Sequence, residues 1–371
     1  MHTFRHQSLM YQVVENMSSM ARVMDDQDYV IYMNKQMRDE FGNRTGQKCY
    51  TLLCGEKKCD ECLSLKCRKS KQSEFRDVSI GDKFYRVIAS PATVSDKEHY
   101  SIEIFHDITE QKLLEIEFMK HYEKLKEDIT FAKQIQRKAL PEDGVFWNTL
   151  SMYSAYLPSE DLGGDLFDIV KIDDENSLFY IADVSGHGVR SSLLTIFLRQ
   201  VIRGMKTGAA DLTALLDELI KSYHDLKLSK ELYISVLCGL YNKTTRGLTL
   251  INAGHNCPPI VLENYNGEKI KATEINVKGM PICGLLREAN HETKTLQMEK
   301  GDRILFYTDG VTEAYNRSIN RAFGMKGLKK AIKDNENCGG KILVNKIIEE
   351  AKGFACTTPI DDMAVVLIEI L

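Results

Sequence analysis

Two hydrophobic rhythms alternate along residues 150–371. Short apolar runs at 151–157, 166–172, 177–182, 232–241, 247–252, 258–262, 302–307 and 363–370 predict strands. Between them, a period near 3.6 predicts helices at 189–205, 211–226, 325–333 and 340–352. In the first of these helices, Leu193, Leu194, Phe197, Leu198, Val201 and Ile202 are placed on one apolar stripe. Glycines at 163, 164, 186, 188, 254 and 310 mark tight turns between these elements.

The first third reads differently. Arg22 to Asp25 and Tyr29 to Asn34 predict two short strands around a polar turn, and 35–42 is helical in character. Phe75 to Ile80, a Gly81-Asp82 turn and Lys83 to Ala89 predict a hairpin. A last strand, 100–106, ends at Asp107-Ile108-Thr109-Glu110. From 109 to 141 the chain is charged and free of glycine, and it stops at Pro141. Phe118, Tyr122, Leu125, Ile129, Ala132, Gln136 and Ala139 there alternate spacings of four and three, a heptad seam. The seam predicts a parallel homodimer through the 109–141 helix, against the simpler alternative of a helix packed on its own domain.

The 371 residues are too many for one ordinary domain. With 43% apolar and 27% charged residues, the composition is that of a globular protein. A net charge of -4 implies neither a nucleic-acid nor a membrane surface as partner. No apolar run reaches spanning length and no signal-peptide core opens the chain, so a cytoplasmic protein is expected.

The chemistry lies at four acidic tips. Gly163-Gly164-Asp165 precedes one apolar run, and Asp183-Val184-Ser185-Gly186-His187-Gly188 ends another. Tyr307-Thr308-Asp309-Gly310 ends a third, and Asp361-Asp362 precedes the last. A structural turn or helix cap explains any one of them. Carboxylates converging on hard divalent cations explain the set better.

These motifs, with Asn252-Ala253-Gly254-His255-Asn256-Cys257-Pro258-Pro259 between them, resemble in order the metal-dependent serine/threonine phosphatases (PPM, type 2C). The likeness is to their SpoIIE/RsbU-like branch. It implies an α+β protein whose phosphatase domain, residues 142–371, is an α-β-β-α sandwich. It also implies two Mn²⁺ or Mg²⁺ ions per site, held by Asp165, Asp183, the Val184 carbonyl, Asp309 and either Asp361 or Asp362. By the same resemblance Asp165 and Asp183 are central to catalysis. His187 is a candidate general acid, or a hydrogen-bonding residue of its turn. His255 is expected to be structural and Asp168 to orient ligands or water. The implied substrate is a phosphorylated STAS-domain antagonist of an anti-sigma factor. Residues 1–108, closed by Asp-Ile-Thr-Glu, resemble a PAS sensor domain, and 109–141 a coiled-coil linker that acts as a switch helix. Ala364 departs from the Ser or Thr common in the family, and no basic residue is placed as a phosphate clamp. The competing reading is a catalytically silent scaffold that binds such a partner.

Five of the ten cysteines fall between 49 and 67. Cys49, Cys54, Cys59 and Cys62 are read as zinc ligands, with an iron–sulfur cluster as the other soft-metal option. A thiol redox switch and plain packing are the alternatives.

Overall fold

The computed structural model describes residues 2–371 except 54, 56, 96–97, 187, 206–210, 229–231, 266–268, 287–290 and 357–358. It divides into two compact units, Met1–Lys124 and Leu125–Leu371. Among the described residues, no helix is long and apolar enough to cross a membrane.

In the first unit a helix, α1 (His2–Asn16), precedes strands β1 (Met20–Met24) and β2 (Val30–Met33). Three short helices follow: α2 (Lys35–Phe41), α3 (Tyr50–Leu53) and α4 (Leu63–Ser70). Strands β3 (Glu74–Ile80), β4 (Lys83–Ser95) and β5 (Glu98–Asp107) complete a five-stranded antiparallel sheet of order β2-β1-β5-β4-β3. Alternation turns Tyr85, Val87 and Ala89 of β4 into a core with Met24, Met33, Met37 and Phe105. One pair of this core is ionic. Arg22 and Glu103 stand opposite each other on β1 and β5, 2.7 Å apart and nearly solvent-free. Ser64 of α4 donates to the same carboxylate at 2.5 Å.

The long helix α5 (Thr109–Ala139) carries the predicted seam, and its two ends differ in exposure. Phe118, Tyr122 and Leu125 are exposed, Ile129 and Ala132 half-buried, and Gln136 and Ala139 buried. Gln136 explains the change. Its side-chain amide donates to Gly163 O at 2.6 Å, and Gly163 N donates back to Gln136 Oε1 at 3.2 Å. Gln136 and Ala139 at the end of the helix therefore pack on their own domain.

Two six-stranded antiparallel sheets build the second unit. Strands β6 (Gly144–Phe146), β7 (Leu150–Leu157), β8 (Asp165–Lys171) and β9 (Asn176–Val184) come first. Helices α6 (Val189–Gly204) and α7 (Leu212–Asp225) follow. Then run β10 (Tyr233–Asn242), β11 (Gly247–Ala253), β12 (Ile260–Tyr265), β13 (Lys269–Glu274), β14 (Ile282–Cys283), β15 (Thr293–Gln297) and β16 (Arg303–Tyr307). A one-turn helix, α8 (Asp309–Thr312), leads to the short pair β17 (Tyr315–Asn316) and β18 (Arg321–Ala322). Helices α9 (Gly324–Asp334) and α10 (Gly340–Ala355) precede β19 (Met363–Ile370).

One sheet runs β15-β11-β10-β9-β8 with β14 beside β10, and the other β13-β12-β16-β19-β7-β6. A period of two sorts every central strand. On β9, Leu178, Tyr180, Ala182 and Val184 meet helices α6 and α7, while Phe179 and Ile181 face the second sheet. On β19, Ala364, Val366, Ile368 and Ile370 face the first sheet, while Met363, Val365 and Leu367 meet α9 and α10. Three apolar layers thus separate four layers of secondary structure, the α-β-β-α arrangement. The edge strands β13 and β15 and the helix α1 are absent from the sequence reading, because their residues are mixed and mostly polar. Leu193 lies outside the buried stripe of α6 at 65% exposure; Ser191, Leu194, Thr195, Leu198 and Ile202 form it instead.

Candidate functional site

The site grows out of strand pairing. In the β8–β9 register Asp165 stands directly opposite Asp183. Both continue the series that faces the second sheet, one residue beyond the apolar part of that face. Cross-strand neighbours on one face sit about 5 Å apart, where like charges repel. Burial pushes Asp165 well above the usual carboxylate range, and the charges of Asp183 and Asp362 push it further. Burial and the neighbouring Asp309, Asp361, Asp362 and Glu313 push Asp183 up to about 7.

Asp309 and the Asp361-Asp362 pair come from the second sheet, at adjacent ends of β16 and β19. Thr308 N donates to Ala364 O at 3.0 Å, which extends that ladder to the tip. Gly310 is there by necessity: a Cβ on it would strike the Asp362 carbonyl. Gly164 is equally constrained, since an added Cβ would lie 2.6 Å from Val184 O. Val184 N donates to Gly164 O at 3.1 Å, so the two turns are stitched together.

Asp361 and Asp362, adjacent in sequence, have different surroundings. Asp362 is buried, and one oxygen accepts from Ser159 N at 2.7 Å and from its hydroxyl at 3.0 Å. The other accepts from Gly164 N at 2.6 Å. Its carboxylate ties the loop before β8 to the start of β19. Asp361 is exposed and lines a cleft with Gly310, Glu313, Tyr315 and Met363.

Several residues were missed by sequence reasoning. Thr308 Oγ1 donates to Asp165 Oδ2 at 2.7 Å; its only sequence signal is its place before Asp309. Glu313 is held above the usual carboxylate range by burial and by Asp309 and Asp361. Ser159 and Gln136 hold the loop that carries Asp165.

Asp168 is a correction. Three residues from Asp165 on β8, it falls on the opposite face, toward α6. There Arg203 grips it through two nitrogens at 2.6 and 2.7 Å, and Arg199 Nε lies 3.2 Å away. It anchors a helix on the face opposite Asp165. His255 is structural as expected: Nε2 meets Tyr307 O at 3.0 Å and Nδ1 meets Ser235 Oγ at 3.3 Å. It pins the first sheet to the second beside Asp183, whose partner on β10 is Ser235. His187 lies outside the described residues.

Zinc or an iron–sulfur cluster at the N-terminal cysteines has no support. Among the described residues, no three His, Cys, Asp or Glu side chains stand close enough to hold a metal. Cys49 and Cys67 are spent on core packing, and burial pushes the Cys49 thiol up to about 12. Cys54 is outside the described residues. The carboxylates also stand apart, but their chemistry differs. Oxygen donors come from both sheets, and burial, together with the neighbouring carboxylates, raises two of them above the usual carboxylate range. That donor set fits hard divalent cations.

Comparison with known proteins agrees with this geometry. The family model described as stage II sporulation protein E (SpoIIE) matches residues 173–371, more than half of the chain. The match begins after the Gly163-Gly164-Asp165 turn. Phosphoserine phosphatase RsbP of Bacillus subtilis is 27% identical over 193 residues, 51% of this chain and 46% of RsbP. Phosphoserine phosphatase RsbU of the same species is 22% identical over 227 residues, 61% of this chain and 65% of RsbU. The chain thus spans about half to two thirds of the length of these relatives. The SiaA-PP2C domain of Pseudomonas aeruginosa superposes with a TM-score of 0.54 at 17% identity, covering 67% of this chain and 98% of that domain. That likeness is one of fold. A family match over more than half of the chain, on a sandwich that carries acidic tips on strands of both sheets, places the chain in the SpoIIE family of PPM serine phosphatases.

Proposed function

We propose that the chain is a sensor-controlled, metal-dependent protein phosphatase acting on phosphoserine or phosphothreonine. The observation that carries this reading is the register that sets Asp165 against Asp183 at the mouth between the sheets, facing Asp309 and Asp361. Asp165, Asp183, Asp309, Asp361 and the Val184 carbonyl would hold two Mn²⁺ or Mg²⁺ ions. Asp362 ties Ser159 and Gly164 together while Asp361 lines the cleft beside Gly310 and Glu313, which favours Asp361 as the ligand. Bound divalent ions supply positive charge against the phosphate dianion and lower the pKa of water.

The chain's own residues then do the positioning. Thr308 holds Asp165, Asp362 and Gln136 hold the loop before it, and His255 fixes the distance between the sheets. The cleft edged by Glu313 and Tyr315 lies beside Asp361. By resemblance to RsbU and RsbP, the substrate is a phosphorylated STAS-domain antagonist of an anti-sigma factor. The strand order β2-β1-β5-β4-β3 supports a PAS sensor in the first unit. The exposed Phe118, Tyr122 and Leu125 support a parallel dimer through the first part of α5.

The test is turnover of p-nitrophenyl phosphate and of phosphorylated STAS proteins by the full chain, with and without Mn²⁺. Mn²⁺-dependent release of phosphate, lost in Asp183→Ala, is expected. Binding of a STAS protein without release of its phosphate, in the presence of Mn²⁺, would establish the scaffold reading instead.

A further inference from the structure

The described N-terminal cysteines, Cys49, Cys59, Cys62 and Cys67, are not equivalent, and their differences single out one pair. Cys49 and Cys67 are buried in the core of the first unit, where burial raises both thiols. Cys59 and Cys62 are part-exposed and line one small cavity with Cys49, Arg22, Arg76 and Glu103. Between them Asp60 and Glu61 form a turn, so Cys59 and Cys62 are its first and fourth residues. A turn of this kind brings those Cα atoms within about 7 Å, and disulfides span about 4.4–6.8 Å. Cys62 is also the N-cap of α4, and its thiol makes no capping hydrogen bond. Arg76 reaches across from β3 and donates to Glu61 O at 3.0 Å, inside the same turn. Its Nε is shielded from solvent and has no hydrogen-bond partner. The Arg76 guanidinium therefore lines the same small cavity as both thiols.

From this arrangement we infer that Cys59 and Cys62 form a reversible dithiol–disulfide couple, oxidised by a peroxide. One thiolate attacks the peroxide oxygen, giving a sulfenic acid and, with the proton, water. The second thiolate attacks that sulfur, forming the S–S bond. Hydroxide leaves and takes the second proton as another water. Two thiols lose two electrons and two protons, and hydrogen peroxide becomes two waters.

The experiment treats full-length protein with hydrogen peroxide, blocks remaining thiols by alkylation and maps the peptides by mass. The expected result is a Cys59–Cys62 disulfide that dithiothreitol reverses, while Cys49 and Cys67 stay alkylatable only after unfolding. In Cys59→Ser or Cys62→Ser the remaining thiol should be trapped by dimedone as sulfenic acid. Equal alkylation of Cys59 and Cys62 before and after peroxide would overturn the inference. So would a disulfide that joins either of them to Cys49, Cys54 or Cys67. The measurement needs no phosphatase turnover, so it stands apart from the function proposed above.

Discussion

Thr308 Oγ1 donates to Asp165 Oδ2 at 2.7 Å and accepts from Ala364 N at 2.9 Å, so one hydroxyl joins the acidic tips of two sheets. A hydrogen bond to a charged group contributes about 1.5–3 kcal/mol. Thr308→Ala should therefore need roughly 10- to 100-fold more Mn²⁺ for half-maximal turnover. Thr308→Ser should behave like the wild type. A Thr308→Ala protein with an unchanged Mn²⁺ titration would show that Asp165 does not depend on this contact.

Crowded carboxylates oppose folding when no cation screens them. Asp183→Asn should abolish turnover and still raise the melting temperature in the presence of a chelator, by a few degrees per kcal/mol relieved. Adding Mn²⁺ should stabilise the wild type and leave the variant nearly unmoved. A variant that melts earlier than the wild type in chelator would contradict the electrostatic picture.

Asp168 offers the opposite case. It is buried and paired, so Asp168→Ala strands Arg199 and Arg203 at the sheet–helix boundary. Breaking such a pair costs about 3–5 kcal/mol when both charges are buried, and less here because Arg203 is 40% exposed. Denaturant unfolding should shift accordingly while the Mn²⁺ titration of the folded fraction stays the same. A changed Mn²⁺ titration would restore Asp168 to the site.

His255 gives a pH dependence. Burial holds its imidazole below the ordinary value of 6.5, against smaller opposing effects of the Tyr307 carbonyl and Asp309. Between the folded and unfolded values the unfolded chain binds the extra proton, so stability falls as pH drops below about 6.5. His255→Gln removes that proton linkage. The stability gap between wild type and His255→Gln, measured by urea unfolding, should be widest near neutrality and should narrow toward pH about 5. A gap constant across that range would mean that His255 titrates alike in both states.

The chain's own order of residues determined a good deal. Strand and helix periods were legible in the second unit because its strands are buried on both faces and its helices on one, which leaves strong apolar signals such as Leu178 to Ala182. The acidic tips were legible as motifs. Polar edge strands such as Thr293–Gln297 were not, since pairing with a neighbour, rather than burial, defines them. Only the tertiary structure could decide among carboxylates. Asp165 and Asp168 lie three apart, and strand geometry sends them to opposite faces, one to the site and one to Arg203. Asp361 and Asp362 are adjacent, yet Ser159 and Gly164, some two hundred residues away in the chain, engage only the second. The same holds for Gln136, whose heptad position predicts a second helix and whose amide instead meets Gly163. A residue's type and spacing set what it can bind; which partner reaches it depends on contacts between segments far apart in the chain.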